Sequence, residues 1–402
     1  MTNALETVAG PVGPLAEVDR AGAVPEERFG TSHGSAEVFS SASHLPADLC
    51  VGAFAGQTRD LRYYEIAEQS LAGQFEHRYL VLRGTAPGEV AVQPVFLVDQ
   101  DILEGLPRRV HDALTWPRRL IPRWLKMRML VAGCSAGNGA LDRSEPWAVD
   151  ALCEALRIYA RQKKAAMILL KDFPGSYREI LRPLETAGFR RVPSMPDCAL
   201  ELNFATFEDY MRDQLGRKLR YKYIKLNKRP PIDCEVRTDV TPLADEIHAL
   251  YLQTHARSKM RFECLTPEFF ARIGREMPER VRFFLWRVEG KLAAFALCLV
   301  QGETIHHLNI GFDYAISLDL QLYFVTMRDI FRWSLTQGLK HYATGQLNYD
   351  PKLHFKMRLT PLDLYSRHTS GLINPFFKLA LGYLQPVRHD PIIRQFPNAS
   401  EL

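Results

Sequence analysis

One strand-turn-strand pattern occurs twice in this sequence. The first copy comprises residues 79–83 and 88–98, and the second comprises residues 283–300. In each copy two β-rich runs flank a turn that has a glycine beside a charged residue, and a predicted helix and a short strand come later. The repetition predicts two similar α/β lobes. Two lobes packed side by side leave a cleft between them, which is where small-molecule sites usually lie.

The order of the predicted elements defines the fold class. Helices, antiparallel strands, a helix and further strands follow one another in an order unlike that of doubly wound nucleotide-binding folds. We therefore predict a mixed α/β protein of two tandem lobes, each with a mixed, mostly antiparallel, twisted sheet flanked by helices. The predicted domains are a disordered leader at residues 1–45, lobes at residues 46–205 and 206–370, and an extension at residues 371–402.

Local signals define individual elements. Ser144 and Pro146 predict the start of a helix with one apolar face, and Thr206 with Asp209 predicts a helix that runs to Lys228. Three further elements are predicted as a helix at residues 177–187, a strand at residues 199–202 that closes the first lobe, and one strand at residues 360–367.

The composition indicates an ordinary globular protein, with 47% hydrophobic and 24% charged residues. A net charge of +5 is too small for a surface that coats nucleic acid, and we expect no DNA partner. The seven cysteines are scattered without a CxxC pair, which indicates neither a disulfide framework nor a metal site. No stretch has the roughly 20 apolar residues that cross a bilayer, and the expected location is the cytoplasm.

Two blocks of residues resemble FemAB-like proteins, which carry two GNAT acyltransferase folds. The first block comprises residues 187–193 and 204–210 together with the basic helix that follows. The second comprises residues 344–353 and 360–368, and it is similar to the C-terminal signature of CelD-like and peptidoglycan-associated relatives. The resemblance extends over most of residues 49–370. It implies acyl transfer by tandem GNAT lobes.

The chain departs from that family at two places. Simple GNAT enzymes hold the pyrophosphate of acyl-CoA on an Arg/Gln-x-x-Gly-x-Gly/Ala loop at a helix N-terminus. The matching residues here, 311–317, are bulky and include an acid, which argues against CoA binding in that form. Residues 354–358 also lack the glycine that the family pattern has after Lys352.

Acyl transfer to an amine needs a proton acceptor and donors to the developing oxyanion. Strand alternation in residues 304–310 places His307 and Asn309 on one face. We predict that His307 accepts the proton and Asn309 orients the carbonyl, while Asp313 and Tyr314 contact substrate beyond the strand end. The alternative is that His307 lies on a half-exposed sheet surface without a function.

A second candidate group follows the next strand. Gly345, Gln346, Tyr349 and Lys352 form the block that best matches the family. Glycine permits a close approach of backbone, and lysine can hold a phosphate, a carboxylate or an oxyanion. We predict that Lys352 is catalytic and that the other three bind substrate. In the alternative, Gly345 ends a strand, Tyr349 packs and Lys352 is solvated.

Charged segments provide candidate contacts for a carrier and a substrate. Seven cations lie within thirteen positions after Gly216, and we predict that Arg217, Lys218 and Arg220 bind the phosphates of CoA, tRNA or a lipid headgroup. The alternative is a solvated helix face. Arg261 and Glu263 are predicted either as a lid over the cleft or as a surface ion pair.

Three segments have further possible contacts. The loop at residues 133–140 lies between a strand and a helix, where phosphate cradles are built, although it lacks a P-loop pattern. Residues 116–126 and 374–384 mix aromatic, apolar and basic side chains, which favours peripheral contact with the inner face of a membrane. The alternative for each is ordinary packing against a lobe.

Together these patterns predict an N-acyltransferase whose active cleft lies on the second lobe. Its donor would be a thioester, either acyl-CoA or acyl carrier protein, used as a co-substrate and not permanently bound. Its acceptor would be the amine of a small molecule or of a lipid or cell-envelope component. The alternatives are an aminoacyl-tRNA-dependent transferase of the FemAB type and a non-catalytic component of an envelope or biosynthetic complex.

Overall fold

The computed structural model describes residues 24–101, 126–258, 261–383, 385, 387 and 390–402. Within these residues fifteen strands form two mixed sheets, one of eight strands and one of seven. The predicted interfacial segment at residues 116–126 lies outside the described residues except for its last position. Among the helices that are described, none is both long and apolar enough to cross a bilayer.

The strands are β1 (Glu27–Thr31), β2 (Gly34–Phe39), β3 (Glu76–Arg83), β4 (Val90–Asp101), β5 (Lys126–Ala132), β6 (Met167–Pro174), β7 (Arg190–Pro193), β8 (Asp197–Glu201), β9 (Asp233–Arg237), β10 (Val281–Val288), β11 (Lys291–Gln301), β12 (Thr304–Phe312), β13 (His341–Thr344), β14 (Arg358–Thr360) and β15 (Leu362–His368). The helices are α1 (Ala47–Gly52), α2 (Leu61–Ser70), α3 (Pro146–Gln162), α4 (Arg182–Thr186), α5 (Phe207–Asp213), α6 (Arg217–Leu226), α7 (Ala244–His255), α8 (Pro267–Glu276), α9 (Ser317–Leu320), α10 (Leu322–Thr336), α11 (Tyr349–His354) and α12 (Asn374–Tyr383).

Both sheets repeat one arrangement of seven strands. The strand orders are β1-β2-β3-β4-β5-β6-β15-β7 and β14-β8-β13-β12-β11-β10-β9. Each sheet has an antiparallel ladder, one parallel pair (β5 with β6, β12 with β13) and then two antiparallel pairs. The hairpins β3–β4 and β10–β11 hold equivalent places, so the repeated sequence pattern is a structural repeat. The predicted tandem fold of two mostly antiparallel sheets is confirmed.

The two lobes exchange one strand each. Strand β8 comes from the first half of the chain but lies between β13 and β14, and β15 comes from the second half but lies between β6 and β7. Only Pro361 separates β14 from β15, and residues 194–196 separate β7 from β8. The sheets therefore adjoin at these crossings, where Ser194 N donates to Leu362 O over 2.8 Å. The predicted division at residues 205/206 does not separate the two sheets.

The predicted leader is wrong for its described part. Residues 27–39 form β1 and β2, and the second of these strands pairs with β3. Ala36 and Val38 are buried in one hydrophobic core and Phe39 in another, so this hairpin is an integral part of the first lobe. Small and polar residues obscure the alternation of apolar and polar side chains in this segment. The strands form because β2 pairs with the edge of β3.

Some helices and strands are shorter than predicted. Thr206 caps α5 as predicted, since its hydroxyl accepts from Asp209 N, but Gly216 is extended and begins a separate helix, α6. Only residues 182–186 of the predicted helix at 177–187 are α-helical. The predicted strand at residues 360–367 is divided by Pro361, because proline has no N–H to donate to a ladder.

A hydrophobic core shared by both lobes joins them. It combines side chains of α2 with those of α7, α8 and β11, and Tyr63 meets Phe269 edge-on with ring centroids 6.0 Å apart. Each sheet also has a core of its own on its outer face. The lobes are therefore packed together firmly, and the polar side chains described next lie beside this shared core.

Candidate active site

Six charged side chains meet between the lobes. They are three cations and three anions from five segments of the chain, namely Arg59, Lys171, Asp172, Asp197, Glu263 and Lys352. Each interacts with at least one partner of opposite sign; the Lys171 ammonium, for example, lies 2.8 Å from an Asp172 oxygen. Lys171 remains 15% exposed and Asp172 8%, so water reaches the group. We call this group the inter-lobe crevice.

Asp197 has one free carboxylate oxygen in this crevice. Its Oδ2 accepts a hydrogen bond of 2.6 Å from Asn138 Nδ2, whereas Oδ1 is buried and has no hydrogen-bond partner within the described part of the chain. Burial raises the pKa of Asp197 to about 6, even though Asn138, Arg59 and Lys352 all favour the charged form. Asp197 can therefore bind and release a proton near neutral pH.

The strand exchange brings Asp197 to this position. It is the first residue of β8 and pairs with Thr360 of β14 at the edge of the second sheet. Tyr349 OH donates to Pro196 O over 2.8 Å, which fixes α11 beside the start of β8. A residue from the first half of the chain thus lies beside the predicted block of the second half.

The predicted block after β13 is brought together around Lys352. Its Nζ donates to the carbonyl oxygens of Gly345 and, over 3.4 Å, of Gln346, and lies 5.5 Å from the centroid of the Tyr349 ring. Lys352 is only 5% exposed, and this burial lowers the pKa of its ammonium. The space beside the Gly345 Cα is open, because a Cβ there would meet nothing within 4 Å. The predicted alternative of a solvated lysine is wrong.

His307 lies beside Lys352 but is a weak base. Its Nδ1 is 2.7 Å from Tyr342 OH, while Nε2 is buried without a hydrogen-bond partner among the residues described. Burial and the neighbouring Lys352 lower the pKa of His307 to about 4. The imidazole is therefore neutral at neutral pH, and the predicted half-exposed surface position is wrong.

Asn309 points away from His307, contrary to prediction. His307 pairs with Cys298 and Asn309 with Leu297, so Leu308 is the extra residue of a β-bulge. Leu297 and Cys298 belong to different cores on opposite faces of the sheet. The extra residue shifts the alternation by one position, which turns Asn309 to the opposite face.

Four other predicted residues divide into two groups. Asp313 accepts from Ala315 N, the Tyr314 ring lies 3.9 Å from the Arg257 guanidinium, and Arg261 donates to the carbonyls of Ala256 and Ser258. None of these contacts joins Asp313, Tyr314 or Arg261 to the crevice. Glu263, in contrast, belongs to the crevice, where burial raises the pKa of its carboxyl and Lys171 opposes that effect. The predicted pairing of Arg261 with Glu263 does not form.

The basic helix α6 packs on the second lobe and keeps cations at the surface. Arg217 and Lys218 are exposed, and Arg220 donates to Leu215 O over 3.1 Å. Farther along, Lys222 lies 3.7 Å from the ring centroid of Phe324 in the first turn of α10. The second half of α6 therefore flanks the N-terminus of α10.

Several crevice residues were not predicted from the sequence. Lys171 and Asp172 follow the apolar run of β6. A charged pair after a buried apolar run is the sequence signal that could have indicated a functional site there. Arg59 and Asn138 lie in loops and carry no comparable local signal.

The glycines of the predicted phosphate loop serve packing. A Cβ at Gly139 would lie 2.4 Å from the Phe173 ring, and one at Gly137 would lie 2.6 Å from Arg59 Nε. Lys171 Nζ also donates to Gly137 O over 3.0 Å. The loop is thus held against β6, and its close approach to the Phe173 ring and to Lys171 O requires glycine at position 139.

Two cavities on the first lobe lie apart from the crevice. They have volumes of about 540 Å³ and 430 Å³, and neither is lined by a predicted site residue. Across the described ranges, no group of three or more His, Cys, Asp and Glu side chains is arranged to hold a metal ion.

One family model and several solved structures are similar to this chain. Residues 214–356 match the family model described as an acetyltransferase (GNAT) domain. The chain is similar to the crystal structure of FemX, with 12% identity over 76% of this chain and 91% of that chain and a TM-score of 0.48. It is also similar to L-PGS from Bacillus licheniformis, with 13% identity over 65% and 85% of the two chains and a TM-score of 0.46.

A third similar structure is a GCN5-related N-acetyltransferase from Kribbella flavida, with 12% identity over 83% of this chain and 71% of that chain and a TM-score of 0.38. No curated protein matches the sequence. At such low identities the substrate has to be argued from the residues of the crevice. The match to the acetyltransferase (GNAT) model at residues 214–356 agrees with the GNAT resemblance expected from the sequence.

Proposed function

We propose that this protein is an N-acyltransferase that moves an acyl group from a thioester donor, acyl-CoA or acyl carrier protein, to an amine in the inter-lobe crevice. The observation that carries the proposal is the free Oδ1 of Asp197 next to Lys352. A proton acceptor and a cationic donor within one crevice are the two groups that direct acyl transfer requires.

Asp197 is the base in this reaction. The amine nitrogen bonds to the thioester carbonyl carbon, and its proton goes to Asp197 Oδ1. Collapse of the tetrahedral intermediate breaks the C–S bond, and the leaving thiolate takes up the proton. A carboxyl with a pKa near 6 suits this task better than His307, whose pKa of about 4 makes it the weaker base.

Lys352 stabilises the oxyanion. Two N–H bonds of its ammonium go to the carbonyls of Gly345 and Gln346. The third has no protein partner in the described part of the chain and is free for the carbonyl oxygen that becomes negative. Because the two carbonyls hold Nζ in place, the donor is oriented before the reaction begins.

Helix α6 is the candidate site for the carrier. Its exposed Arg217 and Lys218 and its contact with the start of α10 place several cations where a phosphate-bearing carrier can bind. The same cations favour a second candidate function, aminoacyl transfer from tRNA, because Tyr221 is 58% exposed among them and can stack on a base. The two candidate functions differ in their donor, which is a thioester in the first and an aminoacyl-tRNA in the second.

A donor panel tests the proposal. Purified protein is incubated with acyl-CoA, acyl carrier protein or aminoacyl-tRNA and a set of primary amines, and free thiol or deacylated tRNA is measured. We expect thiol release with one thioester donor, and a loss of roughly 100-fold for Lys352→Met. The matched control is Lys340→Met, since Lys340 is 56% exposed and pairs with Glu303 at the surface.

Two outcomes would contradict the proposal. Release of deacylated tRNA alone would establish the aminoacyl transferase instead. No consumption of any donor by a folded protein would favour the non-catalytic component of an envelope or biosynthetic complex.

A further inference from the structure

On one surface of the first lobe, the turn before α12 and one face of that helix expose apolar side chains. Leu372 is 86% exposed, Ile373 50%, Phe376 74% and Leu379 76%. Pro375 and Ala380 are exposed as well, and apart from these six no exposed side chain occurs at residues 372–380. Soluble proteins seldom expose a contiguous patch of this kind without a partner.

The fold holds this face outward. Asn374, at the start of α12, accepts from His368 N over 2.9 Å and donates to Gly188 O over 2.9 Å. On the same side of the helix, the Phe377 ring lies 6.1 Å from the ring of His368. Through these contacts the inner side of α12 packs against β15 and β7. The apolar side therefore faces away from the sheet.

Three arginines form a cluster of positive charge, and one of them, Arg367, lies near the start of this helix. The guanidinium of Arg367 on β15 is close to those of Arg157 and Arg161 on α3. Burial is the main cause that lowers the pKa of Arg367, and the two neighbouring cations lower it further. In the ranges that the structure describes, none of the three forms an ion pair, and Arg157 Nε and Arg367 Nε are buried without a hydrogen-bond partner. Glu154 interacts with Arg157 without forming an ion pair, so the cations of this cluster are only partly compensated. Their excess positive charge indicates a site for a negative group.

The arginines and the apolar helix adjoin each other. Arg157, Arg161 and Ala187 line the 430 Å³ cavity together with two acids, Asp150 and Glu154, and Glu154 Oε2 accepts hydrogen bonds from Ser32 N and Oγ. Gly188 follows Ala187, and a Cβ on it would lie 3.5 Å from Asn374 and 3.6 Å from Arg367. The anion site and the apolar face therefore form one continuous surface, which we call the α12 surface.

We propose that the α12 surface binds an anionic lipid bilayer at its interface, with Phe376 and Leu379 inserted among the lipids and Arg157, Arg161 and Arg367 binding headgroup phosphates. A bilayer interface offers an apolar layer beside negative headgroups. The apolar layer complements the exposed apolar side chains, and the headgroups complement the arginines. A second copy of the chain would cover the apolar side chains but would bring further arginines instead of anions. The proposal does not depend on the acyl transfer proposed above.

Vesicle flotation tests this binding. The probes are vesicles of phosphatidylcholine alone and of phosphatidylcholine mixed with phosphatidylglycerol, at low and at raised salt. We expect the protein to float with the anionic vesicles, less so at raised salt because salt screens the arginines. Phe376→Ser/Leu379→Ser and Arg157→Gln/Arg161→Gln should each weaken binding roughly tenfold or more.

Controls separate this surface from general stickiness and from catalysis. Leu318→Ser removes a side chain that is 82% exposed elsewhere and should leave binding unchanged, as should a variant of Asp197 in the crevice. Circular dichroism and thermal melting confirm that each variant is folded.

Three outcomes would overturn the proposal. The first is no flotation of the wild type with anionic vesicles. The second is equal binding to vesicles with and without phosphatidylglycerol, which would leave the arginines without a role. The third is a dimer by sedimentation that Phe376→Ser/Leu379→Ser dissolves, which would assign the surface to a second copy of the chain.

Discussion

The two parallel strand pairs hold the same place in the two lobes but end differently. In the second lobe β13 stops at Thr344 while β12 continues to Phe312, so residues 309–312 pair only with β11 among the described strands. In the first lobe β5 stops at Ala132, and β6 continues to Pro174 alongside β15. The second lobe therefore has an open strand edge where the first has a closed one.

A loop fills the equivalent space in the first lobe. Gly139 N donates to Asp172 O over 3.1 Å, and the Phe173 ring is fully buried against the loop at residues 133–140. The repeated fold therefore does not repeat this opening. The first lobe closes its own opening and instead supplies Lys171 and Asp172 to a single crevice shared with the second.

Asp197→Asn tests whether the first half of the chain supplies chemistry to the second lobe. The amide keeps the shape and still accepts from Asn138, but it takes up no proton, so we expect kcat/KM for thiol release to fall at least about 100-fold. In the wild type the rate should rise with pH through about 6, where Asp197 loses its proton, and the variant should lack this rise.

The control for that measurement is Asp233→Asn, which changes an exposed aspartate on β9, at the far edge of the same sheet. Its rate should equal that of the wild type. If the Asp197→Asn variant is as fast as the wild type, Asp197 is not the base.

Gly139→Ala tests the closure of the first lobe. The added Cβ would lie 2.4 Å from the Phe173 ring and 2.5 Å from Lys171 O, so we expect a loss of about 1–3 kcal/mol in the free energy of unfolding. Denaturant unfolding measures this, with Gly73→Ala as the control, since a Cβ at Gly73 meets nothing within 4 Å. Equal stability of the two variants would show that the loop does not fill the space.

Asp197→Asn also tests how much the ionisation of Asp197 lowers the free energy of unfolding. Because its folded pKa of about 6 lies above the ordinary value of 3.8, ionisation of Asp197 destabilises the folded state as pH rises from about 4 to about 6, by up to about 3 kcal/mol. The amide never ionises, so the variant should be more stable than the wild type above pH 6 and equal to it near pH 4. Urea unfolding at the two pH values measures the difference, and a variant that is less stable at both would contradict the raised pKa.

Gly345→Ala is the counterpart of Gly139→Ala in the open lobe, and its effect on stability should be the smallest. The Cβ meets nothing within 4 Å and the backbone needs no left-handed conformation, so we expect a change below about 0.5 kcal/mol. Activity should suffer instead, through a raised KM, because the methyl group occupies space that a ligand would use. An unchanged KM would place the ligand elsewhere.

Features that depend on neighbours along the chain could be predicted. The paired hairpins follow from alternation and turn glycines, and Thr206 caps its helix through a bond to Asp209 three positions on. The block from Gly345 to Lys352 assembles for the same reason, since one tight turn with left-handed Leu347 and Asn348 brings Nζ back to the carbonyls.

The sequence by itself therefore determined the repeat, most of the elements and the GNAT resemblance, because each depends on contacts within a few residues. Only the tertiary structure decided which face Asn309 takes, since one extra residue in β12 turns the alternation over and leaves no mark on its pattern. It also decided that Asp197 and Lys352 share a crevice. Hydrogen bonds between strands do not depend on distance along the chain, so β8 and β15 could complete the opposite sheets and bring residues from both halves together.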